Sequence, residues 1–364
     1  MRVPFVDVRQ RLADERSELL ACIGRVLDDA QLILGPAVAS FEAAAARAIG
    51  IEHVIGLNSG TDALLMALWA QGIGKGDEVI TTPVSFVATV GAIVHVGARP
   101  IFVDVGADQN LDPGRIEEAL TPRTRAIIAV DWCGRVADLE AIGAIARARG
   151  LVVIEDAAQA MGAARHGRPA GSTVSAAAFS AHPLKILAAL GDGGFLATAD
   201  AEVARRVRLH RGHGLESRDD CVAFGVNSRL DALHAAVLEQ RLARLPEVIA
   251  ARSRNVALYR ELLRPGPVVV PGEASHERIA WTIFNIQADR RDALRAHLAE
   301  HGVETLLYYG TPLHLHRAAS ALGHRRGDFP IAEAQCDRVL ALPHHQYLEP
   351  EQIAFVAETV NRFY

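Results

Sequence analysis

The sequence predicts an α/β fold, a mostly parallel central sheet flanked by helices, followed by a smaller α+β unit. Three observations point there. Short apolar runs alternate with longer amphipathic ones from about residue 50 to residue 160, the rhythm of strand–helix–strand crossovers. Leu151–Ile154 is apolar throughout, as a strand covered on both faces must be. After about residue 230 the rhythm gives way to one long helical stretch and then to mixed segments.

Taken in order, His53–Leu57 reads as a strand and Thr61–Gln71 as the helix after it. Glu78–Thr82 is the next strand, followed by a helix from about Ser85 to Val96. Pro100–Val103 and Arg125–Val130 are further strands, with Ile116–Leu120 helical between them. Val136–Arg149 is helical and stops at Gly150, a residue suited to the left-handed cap. Leu151–Ile154 closes the series. Leu230–Leu262 is helical, broken near Pro246. Val268–Val270 and Thr282–Gln287 read as strands, Arg291–His301 as a helix and Val303–Leu307 as a strand. Pro350–Phe363 is the last helix, with Pro350 in the first turn, where its missing N–H costs nothing. The pattern divides the chain into a large domain of residues 1–245 and a small domain of residues 246–364, bridged by a long helix rather than a flexible linker.

A chain of 364 residues, 50% of them hydrophobic, supplies core enough for both units. The net charge of −5 is spread among interspersed acids and bases, without the clustered basic face of a nucleic-acid binder. No apolar stretch reaches the roughly eighteen residues of a membrane span. Met1–Leu20 carries charges every few residues, unlike a signal peptide. Cys22, Cys133, Cys221 and Cys336 form no CxxC pair and read as free thiols in a reducing cytoplasm. The histidine pairs His314 with His316 and His344 with His345 lack metal spacing on a helix, so no metal site is expected.

In an open α/β sheet, ligands gather at the carboxyl ends of the strands. The polar residues just past the apolar runs are therefore the candidates. Ser59-Gly60-Thr61-Asp62 stands between a strand and a helix, where Thr61 is a good N-cap and first-turn N–H groups bind phosphate. Gly60 lets backbone approach an anion. Asp156 ends a buried strand, and a carboxylate there needs a partner. A protonated pyridine nitrogen is one such partner, and capping a short helix Ala157–Met161 is another use for it. Gln159 lies three residues on, placed to donate to a phenolic ring oxygen. Phe86 opens a helix, where its ring can stack on a ligand or join the core. Lys185 has apolar neighbours in Ser180-Ala181-His182-Pro183-Leu184-Lys185, and only Lys75, in a glycine-rich turn, shares its residue type. An amine so placed can be kept neutral and nucleophilic, and Ser180 adds a hydroxyl nearby. Phosphate loop, aromatic, carboxylate, serine and lysine follow one another along the sheet, a set of groups that pyridoxal 5′-phosphate (PLP) would use.

These residues resemble a known family. Val3-Pro4-Phe5-Val6-Asp7, Ile33-Leu34-Gly35-Pro36, Ser59-Gly60-Thr61-Asp62-Ala63-Leu64, Gly76-Asp77-Glu78-Val79-Ile80 and Phe86-Val87-Ala88-Thr89 match the nucleotide-sugar aminotransferases of the DegT/StrS type. So do Glu155-Asp156-Ala157-Ala158-Gln159, Ser180 to Lys185, Gly225 to Leu230 and Gly327-Asp328-Phe329-Pro330. The resemblance implies PLP fold type I, the fold of aspartate aminotransferase. It implies that Lys185 binds PLP covalently, Asp156 meets the pyridine nitrogen, Gln159 the ring oxygen and Phe86 the ring face. Gly60, Thr61 and Ser180 would hold the phosphate, and Asn227 would reach the phosphate of the other subunit in a homodimer. His182, Arg229, Tyr309 and His314 are the expected substrate contacts.

The implied reaction is ping-pong transfer of an amino group from L-glutamate to a nucleotide-linked keto-sugar, through pyridoxamine 5′-phosphate. Two positions depart from the family pattern: Ile186 follows the lysine in place of Asn, and Tyr308-Tyr309-Gly310 stands where His-Tyr-Pro is usual. Both lie on the sugar side. Two rival functions are a dehydratase of the same family, whose members carry His at the lysine position, and a non-catalytic PLP-binding regulator.

Overall fold

A computed structural model describes all residues, 1–364. Three helices lead: α1 (Val8–Asp14), α2 (Arg16–Asp29) and α3 (Gly35–Ile49). Alternating elements follow: β1 (His53–Leu57), α4 (Gly60–Ala70), β2 (Glu78–Thr81), α5 (Val87–His95), β3 (Arg99–Phe102), α6 (Ile116–Ala119), β4 (Thr124–Val130), α7 (Leu139–Arg149) and β5 (Val152–Asp156). Then come β6 (Ala176–Ser180), β7 (Gly194–Thr198) and α8 (Ala201–Arg211). These seven strands form one sheet in the order β1-β7-β6-β5-β4-β2-β3. Neighbours are parallel except around β7, which runs against β1 and β6. On one side of the sheet, Ile55, Ile128 and Leu196 of the strands share a core with Leu64 and Leu68 of α4 and with residues of α5 and α8. A second core joins the strand residues Phe179 and Phe195 to Phe41 of α3 and Leu238 of the next helix, α9 (Ala232–Leu262). Helices on both faces keep the sheet dry, so its ligand-facing edge is the row of strand ends.

The chain continues with β8 (Val268–Val269), β9 (Phe284–Ala288), α10 (Arg291–Glu300), α11 (Pro330–Arg338), β10 (Val339–Leu342) and α12 (Pro350–Phe363). Strands β8, β9 and β10 make a second, antiparallel sheet. Its core joins Tyr259, Phe284, Ile286, Leu340, Leu342 and Val360, and includes Val3 from the other end of the chain.

Several expectations change. The long helix is not broken: α9 runs through Pro246. An internal proline costs a helix about 3 kcal/mol, but Leu242 and Leu245 are buried on one side of it and Val256 and Tyr259 on the other. Burial at both ends holds the axis continuous, so residues 245 and 246 are adjacent points on one helix. Val303–Leu307 is not a strand. It contributes only isolated bridges, Val3 to Val303 and Leu306 to Ala341. The segment after Arg135 becomes helical only at Leu139, where the Asp138 carboxylate accepts the Ala141 N–H. No helix follows Asp156, which is itself the last residue of β5.

Candidate active site

Strands β4, β5 and β6 end together, with Val130 paired to Asp156 and Asp156 to Ala178. A cavity of about 410 Å³ opens there, walled by Gly60, Thr61, Phe86, Asp156, Gln159, Ser180, His182, Lys185 and Tyr309. Nine of the twelve candidate residues therefore share one site.

Asp156 is 5% exposed. Its Oδ1 accepts the Ala158 N–H at 3.3 Å, and its Oδ2 accepts the Thr89 hydroxyl at 2.7 Å. Burial pushes the carboxyl above the usual aspartate range, against the pull of those two donors and of Lys185.

Lys185 sits on the loop between β6 and β7, its N–H turned onto the His182 carbonyl at 2.8 Å. Desolvation lowers its pKa, while the Asp156 charge opposes that shift, so the neutral amine is favoured relative to a surface lysine. Two buried arginines hang this loop in place. Arg11 donates to the Pro183 and Ile186 carbonyls at 3.3 and 3.2 Å. Arg241, on α9, donates to Ala188 and Ala189 at 2.5 and 3.1 Å and pairs with Glu15 at 2.7 Å. Because Glu15 would be left as an uncompensated buried charge, Arg241→Met is expected to cost about 3–5 kcal/mol. Urea denaturation checks this; a loss below about 1 kcal/mol would show that the pair is not needed.

At the other end of the cavity, α4, β6 and β7 converge closely. A Cβ on Gly60 would lie 2.8 Å from Ser180 Cβ, and one on Gly194 would lie 2.4 Å from the Ser59 carbonyl carbon. Only glycine fits at either position. The cap of α4 is Ser59, whose hydroxyl accepts the Asp62 N–H at 3.1 Å. Thr61 is thus not the N-cap but a first-turn residue, with its hydroxyl free for a ligand. The helix start, Thr61 and Ser180 together could hold an anion, as a cradle.

Gln159 Oε1 accepts the Cys133 N–H at 2.7 Å, which leaves its NH₂ as a donor toward the cavity. The Phe86 ring is 52% exposed and lies 6.0 Å from Tyr309, forming an aromatic wall with space beside it.

Three candidates lie elsewhere. His314 is 2% exposed, its Nε2 is 3.0 Å from Glu333 Oε1, and its ring packs on Phe329. It is a core histidine in this chain, not a cavity residue. Asn227 and Arg229 are outside the cavity wall, and the Asn227 Oδ1 accepts the Arg229 Nε–H at 3.0 Å. Sequence reasoning in turn gave no role to Ser85, Thr89 and Thr282. The spacing of Ser85 and Thr89, four apart and flanking Phe86, was the available signal for the first two.

The side chains present fit PLP. An amine, a carboxylate held by two donors, an amide donor and an anion cradle face one cavity beside an aromatic ring, and the cradle has the depth that a Cβ at Gly60 would remove. Residues 13–361 match the DegT/DnrJ/EryC1/StrS aminotransferase family. The chain belongs to this family. A dTDP-3-amino-3,4,6-trideoxy-alpha-D-glucose transaminase from Streptomyces venezuelae is 40% identical, over 100% of this chain and 96% of its own. A pleiotropic regulatory protein from Geobacillus stearothermophilus is also 40% identical, over 100% of this chain and 99% of its own. The crystal structure of S. venezuelae DesV in complex with a ketimine intermediate superposes with a TM-score of 0.97 at 40% identity, covering 100% of this chain and 98% of that one. The DegT/DnrJ aminotransferase fold is the α/β architecture expected from the sequence.

Proposed function

We propose that this aminotransferase moves an amino group from L-glutamate to the keto carbon of a nucleotide-linked sugar, using PLP. The observation that carries the reading is the single cavity in which the Lys185 amine and the Asp156 carboxylate stand beside the Gly60–Ser180 cradle. The 40% identity to a dTDP-amino-sugar transaminase supports the substrate class. When bound, PLP supplies an electron sink and a carrier for the amino group. Lys185 holds it and, once free, takes and returns the proton at the reacting substrate carbon. Asp156 binds the nitrogen end of the ring, Gln159 donates to its oxygen, and Phe86 covers its face. Gly60, Thr61 and Ser180 bind the phosphate. His182 and Tyr309 stand on the side left for substrate.

The active form proposed is a homodimer. Phe224 is 97% exposed and Val222 and Val226 are exposed beside Asn227, a grouping that a second copy would cover. Asn227 then reaches the phosphate held by the other subunit, and Arg229 its substrate. All four cysteines are free, which suits the cytoplasm, and no helix is long and apolar enough to cross a membrane.

The regulator reading has one observation in its favour, the name of the Geobacillus relative. Mixing the PLP-loaded protein with L-glutamate and a dTDP- or UDP-linked keto-sugar should release 2-oxoglutarate in step with the amino-sugar. A yellow, folded protein that releases none with either nucleotide would return the case to the regulator. A dehydratase would consume keto-sugar without that stoichiometry.

A further inference from the structure

We infer that Thr89 is a positioning residue for transamination: its hydroxyl, oriented by Ser85, keeps the Asp156 carboxylate ionised and directed into the cavity. The inference rests on the proposed pairing of Asp156 with the nitrogen of PLP.

Thr89 is fully buried on α5, a different element from the β5 strand that carries Asp156. It lies 2.7 Å from Asp156 Oδ2, a direct hydrogen bond with no water between. The Ser85 hydroxyl, 4% exposed, lies 2.6 Å from the Thr89 oxygen. A threonine hydroxyl has one proton. Given to an ionised carboxylate, it cannot also be given to Ser85, so Ser85 must donate to Thr89. The direction Ser85 to Thr89 to Asp156 is thereby fixed, and each bond polarises the next. Ser85 itself lines the cavity, so the chain begins and ends at its wall.

The other groups facing Asp156 explain why a hydrogen bond matters there. Glu155 on the same strand and Asp131 at the end of β4 are buried acids that share a hydrogen bond, and burial pushes both up. Tyr309 and Cys133 carry no charge at neutral pH, since burial pushes both up. Lys185 is the one basic group acting on Asp156. Without the Thr89 donor, burial is opposed only by the Ala158 N–H and Lys185, and the balance moves toward a protonated Asp156. The proton shared with PLP then settles on Asp156, and the ring loses the positive charge that draws electrons.

The test is a pH titration of the visible absorption band of the PLP-loaded full chain, read beside steady-state kinetics. Thr89→Val keeps the branched shape without the hydroxyl. It is expected to move the band's midpoint up by about one pH unit and to lower kcat about tenfold, with KM for both substrates within about twofold. Thr89→Ser should restore both to within about twofold of the parent, and Ser85→Ala should shift the midpoint the same way by less. A parental midpoint and kcat in Thr89→Val, or a Thr89→Ser no better than the valine, overturns the inference. If Thr89→Val folds without retaining PLP, Thr89→Ser and Ser85→Ala decide it: an unmoved midpoint in Ser85→Ala refutes the directed chain. Asp156→Asn in the same titration separates the two layers. If it leaves the midpoint unmoved, the Asp156 pairing itself fails; if it shifts while Thr89→Val does not, only the role of Thr89 falls.

Discussion

Replacing Lys185 with alanine should lower turnover by about 10⁴-fold or more, the combined loss of a covalent anchor and a positioned general base. No other amine can substitute. The second lysine, Lys75, is exposed in the turn before β2 and does not line the cavity. The variant should still bind PLP, because Asp156, Thr61, Ser180 and the glycine at position 60 are untouched, but borohydride should no longer fix a label to the protein. Activity in the parent should also fall as pH drops, because only the neutral amine reacts. Burial holds the Lys185 pKa below the usual lysine range, so that fall begins at lower pH than an exposed lysine would allow. Turnover within tenfold of the parent in Lys185→Ala would remove the amine from the mechanism.

Asp156→Asn should lower kcat by about 10²–10³-fold, the usual cost of losing one preorganised electrostatic partner, with a smaller effect on KM. The same change should make the cofactor-free protein more stable at neutral pH. A carboxyl whose folded pKa is raised favours folding while protonated, below its unfolded value. That contribution is lost as pH climbs from the ordinary aspartate range through the raised folded value. Asp156 is in this class, so at neutral pH its charge opposes folding, and a neutral amide removes the opposition. Slower chemistry together with a higher urea midpoint is the expected pair of results. A loss of both would mean that the carboxylate is chiefly structural.

What could be read from the sequence was whatever chemistry or burial imposes on residue type. The lysine, the carboxylate and the glycine-bearing helix start had few alternative uses in their settings, and all three face one cavity. Strand β6 escaped notice because Ala176-Ala177-Ala178 has no strand propensity; alanine stands there because α4 passes so near that Gly60 almost touches Ser180. His314 misled because its partner, Glu333, is nineteen positions away and nothing local announces the pair. Thr89 was hidden by ordinariness, a small polar residue on a helix whose partner lies 67 positions on. Asn227 and Arg229 lie outside this chain's own cavity wall, so their assignment depends on the proposed dimer.

Val3 shares one core with Val356 and Val360 and donates its N–H to the Gly302 carbonyl. The stretch around Val3 therefore has no lasting place until residues some three hundred positions on have folded. The large sheet holds none of that core, so it can assemble while Val3 still waits for its partners. The antiparallel layer, not the sheet that follows Val3 in the chain, seals these residues.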